Sequence, residues 1–325
     1  MKRDEIFPFY RTDLMIICCL VPVFVVPLFT DSDFVLDIFI TIFLYASLGA
    51  AWNILAGYTG QISVGNAAYF GIGAYSTIMI YLTFAISPWF GILIGAAFAA
   101  AFAIIIGFPL FRLGGRYFVL ATWAVAEIFR LTFKNTKATG GAKGIWVPVV
   151  QESWWHFQFH ASRAPYYYIL LICLIIFQLI CWKIRYSTFG LNLMAVRDDE
   201  KAAESLGINV FKNKQVALAI SAAMTAIIGG IYAQYQLFID PDSVFLTQVS
   251  IDILFPAVLG GIGTVNGALL GSVILFPVYW ILRVLLGYTP IHLMIRGILL
   301  MIIVGLAPSG IIPKIYRQLK PESQS

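Results

Sequence analysis

Glu127 and Arg130 lie three residues apart in the apolar run 117–133, so a helix over that run carries both on one face, where they can pair. If lipid surrounds the run, an ionisable group there is costly and turns to the interior of a bundle or to a cavity. Glu127 is therefore a candidate for a functional or assembly contact within the membrane. The competing reading sets Arg130 near the outer boundary, snorkelling, with Glu127 satisfied locally. Asp37, Asp252, Arg283 and Arg296 are similar but stand nearer the ends of their apolar runs, and they are not singled out as substrate ligands.

A second group combines flexibility with polarity. Gly57, Gly60, Gly65, Gly71 and Gly73 crowd into a run that also holds Asn53, Gln61, Ser63 and Asn66. Small residues let helices approach closely, and they also permit a broken helix whose freed backbone groups need polar neighbours or a cavity. Tight packing and a discontinuous segment lining a translocation path both stay open. The run recurs weakly 200 residues further on, where Gly60 to Gly71 lies over Gly260 to Gly271 with Gly, Ile, Asn, Ala and Gly in common. Duplication and compositional coincidence are both readings of this match. Transporter repeats commonly flank the substrate path, which adds Gly260, Gly261, Gly263 and Thr264 to the path candidates.

The third group is a compact mixed-charge segment. Residues Arg197, Asp198, Asp199, Glu200, Lys201, Ala202, Ala203, Glu204, Ser205, Leu206 and Gly207 read as a short helix over 198–206. Asp198 or Asp199 serves as N-cap, the acids complement the dipole and Gly207 stops the helix. Ala202, Ala203 and Leu206 form a small apolar patch amid charge. So short a helix is not stable alone in water and is expected to dock; a solvated surface turn is the alternative.

Several chemistries have no carrier. No phosphate-binding loop occurs, since the glycines of residues 140–144 lack its spacing. There is no HExxH, no serine nucleophile elbow and no CxxC. His156 and His160 are four residues apart without a fixed carboxylate ligand, and no metal site is assigned. Cys18, Cys19, Cys173 and Cys181 all lie in apolar runs as small hydrophobes. No basic tract with interleaved aromatics suggests nucleic acid.

The elements that position these residues follow from composition. The chain has 325 residues, 60% hydrophobic and 11% charged, with a mean hydropathy of +0.88. A soluble domain carries about 25% charge. The chain is therefore an all-α polytopic membrane protein, a single transmembrane domain over 1–325. Apolar runs of the required length fall at 14–30, 34–56, 67–86, 89–111, 117–133, 166–184, 214–236, 248–263, 267–286 and 290–308, ten spans in a range of eight to eleven. The first is read as a retained span, because no cleavage signature follows it. Net charge is +5, and the placement of Lys and Arg matters more than the sum. With Lys2, Arg3 and Arg11 inside, ten spans put Arg112, Arg116, the loop 185–213 and the tail with Lys314, Arg317 and Lys320 on the same side, so both termini are cytoplasmic. Residues 134–165, with Trp146, Trp154 and Trp155, form an outer loop, and the acidic turns at Asp31 and Asp240 also fall outside. Lys134, Lys137, Lys143 and Arg163 run against this bias. This count makes the two Gly-rich copies parallel; one re-entrant segment counted as a span would make them inverted.

Four stretches resemble a known family. They are Trp52 to Ala68 (WNILAGYTGQISVGNAA), Thr139 to Ile145 (TGGAKGI), Val196 to Ile208 (VRDDEKAAESLGI) and Val258 to Val265 (VLGGIGTV). In this order they are similar to the permeases of bacterial ABC importers for branched-chain amino acids, of the LivH and LivM kind and particularly the LivM-like partner. Asn66 departs from the pattern, which most often has His there; polarity is kept and a titratable group lost. The resemblance implies a type II-like permease fold in the inner membrane. It also implies a second homologous permease subunit, two cytoplasmic ATPase subunits that bind ATP and Mg, and a periplasmic binding protein that delivers Leu, Ile or Val. The helix 198–206 looks like the family's coupling helix, seated in a groove on the ATPase. This chain would then be a non-catalytic subunit with no cofactor of its own. A permease of the same class for urea, amides or sugars, and a self-sufficient H⁺- or Na⁺-coupled secondary transporter that uses Glu127, are the competing functions.

Overall fold

The computed structural model describes residues 10–18, 20–30 and 32–286, together with 297, 298, 301, 305 and 310. The expected span 290–308 lies almost wholly outside the described residues, as do Lys2, Arg3, Arg296 and the basic tail. Within them the chain is helical: α1 (Tyr10–Cys18), α2 (Val26–Phe29), α3 (Asp33–Thr59), α4 (Asn66–Phe84), α5 (Pro88–Leu110), α6 (Arg116–Asn135), α7 (Ala164–Arg185), α8 (Thr188–Asp198), α9 (Glu200–Ser205), α10 (Val210–Gln236), α11 (Pro241–Phe245), α12 (Thr247–Gly260) and α13 (Gly267–Leu286). A ribbon of two short strands, β1 (Ile145–Trp146) and β2 (Phe238–Ile239), pairs antiparallel with Ile145 opposite Ile239.

Among the described residues, six helical segments are long and apolar enough to cross a membrane: α3, α4, α5, α7, α10 and the pair α11–α12. Two shorter apolar stretches, 13–29 and 267–282, accompany them. Two expectations need correction. The first span, 14–30, is broken into α1, a 3₁₀ turn over Val21–Val25 and α2, because Pro22 and Pro27 cannot donate the backbone bonds that a continuous helix needs. The span expected over 248–263 begins earlier, at Pro241, bends at Leu246 and ends at Gly260. The run 117–133 is a helix as expected, α6, of 20 residues, though Arg116, Glu127, Arg130 and Lys134 make it more charged than the six apolar segments.

Sequence signals set most boundaries. Pro88 and Pro165 open α5 and α7 in the first turn, where a missing N–H costs nothing. Asn209 caps α10 by accepting from the Lys212 amide, and Asp240 and Ser243 cap α11 reciprocally. The bundle is built round α3, which is buried over most of its length and packs against α7, α10, α12 and α13. Helices α4 and α10 cross in close contact. A Cβ on Gly73 would overlap the Ala226 carbonyl, and one on Gly229 the Phe70 carbonyl. Glycine is required at this crossing by space. Leu93, Phe98 and Ile105 of α5 and Leu120 and Ile128 of α6 are exposed, as a lipid-facing surface requires.

The bundle has two distinct ends. One carries residues 136–163, held down where Ser87 donates to the Trp155 carbonyl (2.6 Å), the Trp89 indole to the Trp154 carbonyl (2.8 Å), and Tyr81 meets His156 Nδ1 (3.2 Å). The opposite end carries α8, α9 and both Gly-rich breaks.

Candidate functional site

The Gly-rich run is a broken segment and a packing site at once. Helix α3 ends at Thr59, capped by Gly60 in the left-handed conformation (φ +74°), and residues 60–65 pass before α4 starts at Asn66. This extended piece turns back beside α3, because the Trp52 indole donates to the Ser63 carbonyl at 2.8 Å. Ser63 Oγ accepts from the Gly65 amide, and Gly65 lies against the Thr122 backbone with no room for a Cβ. Asn66 is buried at the head of α4, and the neighbouring Ala67 amide donates to Ser250 of α12 (2.9 Å).

The second copy breaks one residue later in the matched register. Helix α12 ends at Gly260, residues 261–266 are irregular, and α13 starts at Gly267. The two copies meet. Asn53 Nδ2 donates to the Thr264 carbonyl (2.7 Å) while Asn53 Oδ1 accepts from the Gly263 amide (2.8 Å). Gly49 faces Ile253 and Pro256, so α3 and α12 run side by side in the same direction and the copies are parallel. Gly261 (φ +131°) and Gly263 (φ +79°) hold backbone conformations that other residues resist.

Arg197 closes this cluster. Its Nη1 donates to the Gly57 carbonyl at 2.7 Å and lies 2.5 Å from where a Cβ on Gly263 would stand. It belongs to α8, an 11-residue helix that the expected single loop 185–213 did not contain, and it is not part of the short helix. That helix is α9. Asp198 ends α8, Asp199 is the N-cap and accepts from the Lys201 and Ala202 amides (2.8 and 3.1 Å), and Gly207 follows at φ +81°. Glu200 Oε1 receives Lys214 Nζ (2.5 Å) and Gln61 Nε2 (3.2 Å), tying the head of α9 to α10 and to the break after α3. Ala203 is buried against Val196 and Val210 of its own chain, so of the expected apolar patch only Ala202 and Leu206 are exposed. Ala202, Glu204, Leu206 and Gly207 are exposed, Leu206 to 80%.

Glu127 stands apart from this cluster. It pairs with Arg130, as its spacing predicts, and Arg130 also binds Asp242 (2.6 Å), which in turn receives Lys134 (2.8 Å). Asp242 belongs to the turn at the opposite end, so the four charges neutralise one another there.

Asp37, set aside on sequence, emerges beside Arg163 at the end carrying 136–163. The two form an ion pair beside Tyr235, and the Asp37 carboxylate holds the Arg163 guanidinium above its ordinary pKa. They stand at a cavity of about 560 Å³. Sequence gives no signal for this group, because its members are 126 and 72 residues apart.

The profile of the family described as "branched-chain amino acid transport system / permease component" matches residues 34–304. The high-affinity branched-chain amino acid transport system permease protein LivM of Escherichia coli K12 is 28% identical over 314 residues, 90% of this chain and 73% of the relative. LivH of the same strain is 26% identical over 249 residues, 71% of this chain and 79% of the relative. A guanosine ABC transporter permease, NupQ of Bacillus subtilis, is 26% identical over 211 residues, 57% of this chain and 62% of the relative. No solved structure matches the chain.

Proposed function

From the fact that the chain belongs to the branched-chain amino acid transport system permease family, we propose that it is the non-catalytic membrane subunit of an ATP-driven importer carrying Leu, Ile or Val across the bacterial inner membrane. It pairs with a second, homologous permease and with two cytoplasmic ATPase subunits, which bind ATP and Mg, and it receives substrate from a periplasmic binding protein. Both termini and α8–α9 face the cytoplasm, and residues 136–163 face the periplasm.

One observation carries the coupling role. Helix α9 is fixed to the permease by Ala203, Glu200 and Lys214 yet presents Leu206 and Glu204 outward. So short a helix needs a partner to pack on, and its outward side, with Leu206 at the cap, is the side left for another protein. On this reading the ATPase dimer pushes α9, and Arg197 with Glu200 passes the movement to the breaks at 57–66 and 260–264. Asn53, Gly57, Gly60, Gln61, Ser63, Gly65, Asn66, Gly260, Gly261, Gly263 and Thr264 then form the cytoplasmic closure of the path, which opens when the breaks separate.

The test is uptake by vesicles that contain the permease pair, the ATPases and the binding protein, challenged with labelled Leu, Val, urea and guanosine. ATP-dependent accumulation of Leu and Val is the expected result. Accumulation of urea or guanosine alone would reassign the substrate, and the similarity to the guanosine permease is what favours including the nucleoside. Transport by the purified chain alone under an ion gradient would overturn the importer reading.

A further inference from the structure

At the end carrying 136–163, the cavity opens between α3, α7, α10, α12 and α13, and its size is that of a small-molecule site. Arg163 stands at the rim with Asp37 behind it. Tyr235 donates to Asp37 Oδ1 (2.6 Å), and Arg163 Nη1 also reaches the Tyr235 oxygen (3.2 Å). Two turns further along α3, Tyr45 stacks on Phe276 of α13 with ring centroids 4.4 Å apart. Asp252 of α12, which accepts from Gln248 (2.9 Å), also lines the space.

A guanidinium beside a carboxylate, above an aromatic floor, complements a ligand with charges of both signs on adjacent atoms and an apolar remainder. A simple anion would meet Asp37 and Asp252. A simple cation would meet Arg163.

We propose that this cavity binds a zwitterionic α-amino acid, its carboxylate on the Arg163 guanidinium, its ammonium on the Asp37 carboxylate and its side chain toward Tyr45 and Phe276. The assignment rests on the amino-acid reading given under Proposed function. The ligand enters between Asp37 and Arg163, so each charge exchanges one partner for another and none is left buried and unpaired. Tyr235 keeps Asp37 in place through its other oxygen during the exchange. A ligand so held ties the head of α7 to the second turn of α3.

Photoactivatable leucine, which retains both charged groups, tests this on the assembled importer. Crosslinks are expected on the peptides holding Tyr45 or Phe276. Excess Leu should suppress them, whereas leucinamide, lacking the carboxylate, and 4-methylpentanoate, lacking the ammonium, should not. Arg163→Gln should lower labelling about tenfold, the loss expected for one charged hydrogen bond. The exchange Asp37→Arg with Arg163→Asp retains the ion pair and hence the packing, and it too should lower labelling. Labelling confined to other regions or to the second permease, or labelling unchanged in both variants while ATP-driven Leu uptake continues, would overturn the cavity assignment and leave the importer reading intact. Absence of amino-acid uptake by the unaltered complex would instead remove the reading on which the assignment rests.

Discussion

Arg197 Nη1 donates to the carbonyl of Gly57 at 2.7 Å across 140 residues of sequence. The acceptor lies in the last turn of α3, where the final carbonyls have no partner within the helix. The donor lies two residues before the cap of α9. One bond therefore joins the α8–α9 segment, which we propose meets the ATPase, with the helix that lies at the centre of the bundle. Arg197→Ala leaves that carbonyl without its charged donor, a loss of about 1.5–3 kcal/mol. Substrate uptake per ATP hydrolysed should fall about tenfold, while the ATPase subunits still co-purify. Uptake per ATP equal to the unaltered protein would show that the bond only supports the fold.

Leu206 separates assembly from folding. At 80% exposure it contributes little to the stability of this chain, and surface changes of this kind usually stay within about 0.5 kcal/mol. Leu206→Ser should leave the thermal unfolding midpoint of the permease unchanged and weaken retention of the ATPase on an affinity column. Ala203→Ser is the counterpart. Its site is enclosed by Val196 and Val210, so the added hydroxyl should destabilise the α8–α9 junction without removing any group that the partner touches. Equal effects of the two substitutions on ATPase retention would argue against Leu206 as the contact.

The crossing of α4 and α10 gives a test of the fold itself. Gly73→Val would place branched carbons inside the Ala226 carbonyl, and neither helix can give way without moving α5. Overpacking of this kind costs about 1–3 kcal/mol or more. The variant should be recovered in low yield, with a lowered midpoint in detergent. Gly114→Ala, where nothing lies within 4 Å, should behave as the unaltered chain does.

Much of this arrangement can be read from the residues. The apolar runs locate most of the spans because lipid demands length and apolarity together, and Asp198 or Asp199 with Gly207 brackets a short helix through capping chemistry, of which the structure uses Asp199. The Gly-rich match at an offset of 200 points to two equivalent breaks, and Gly60 and Gly260 each end a helix. What sequence could not supply was contact. Arg197 reads as one member of a charged loop until α8 turns it onto Gly57, and Ala203 reads as one of three alike apolar residues until Val210 covers it alone. The cavity at Asp37 and Arg163 has no local pattern, since its walls come from helices far apart in the chain.

Glu127 distinguishes the two modes of energisation. A carboxylate in a proton-driven transporter must gain and lose its proton during each cycle, and Glu127→Gln would abolish such transport. Here the carboxylate is held by Arg130, whose guanidinium is shared with Asp242. Both oxygens of Glu127 accept from Arg130, and a glutamine keeps one of these acceptors. Asp242 still pairs with Arg130, so that guanidinium keeps a carboxylate partner, and the one net positive charge left in the group is partly exposed. The pair is partly exposed, where an ion pair is worth about 0–1 kcal/mol. ATP-driven uptake by Glu127→Gln should therefore stay within about twofold of the unaltered complex, and a proton uncoupler should leave it unchanged. Loss of uptake in this variant, with the ATPase still bound and the fold intact, would mean that the carboxylate takes part in transport and not only in joining α6 to α11.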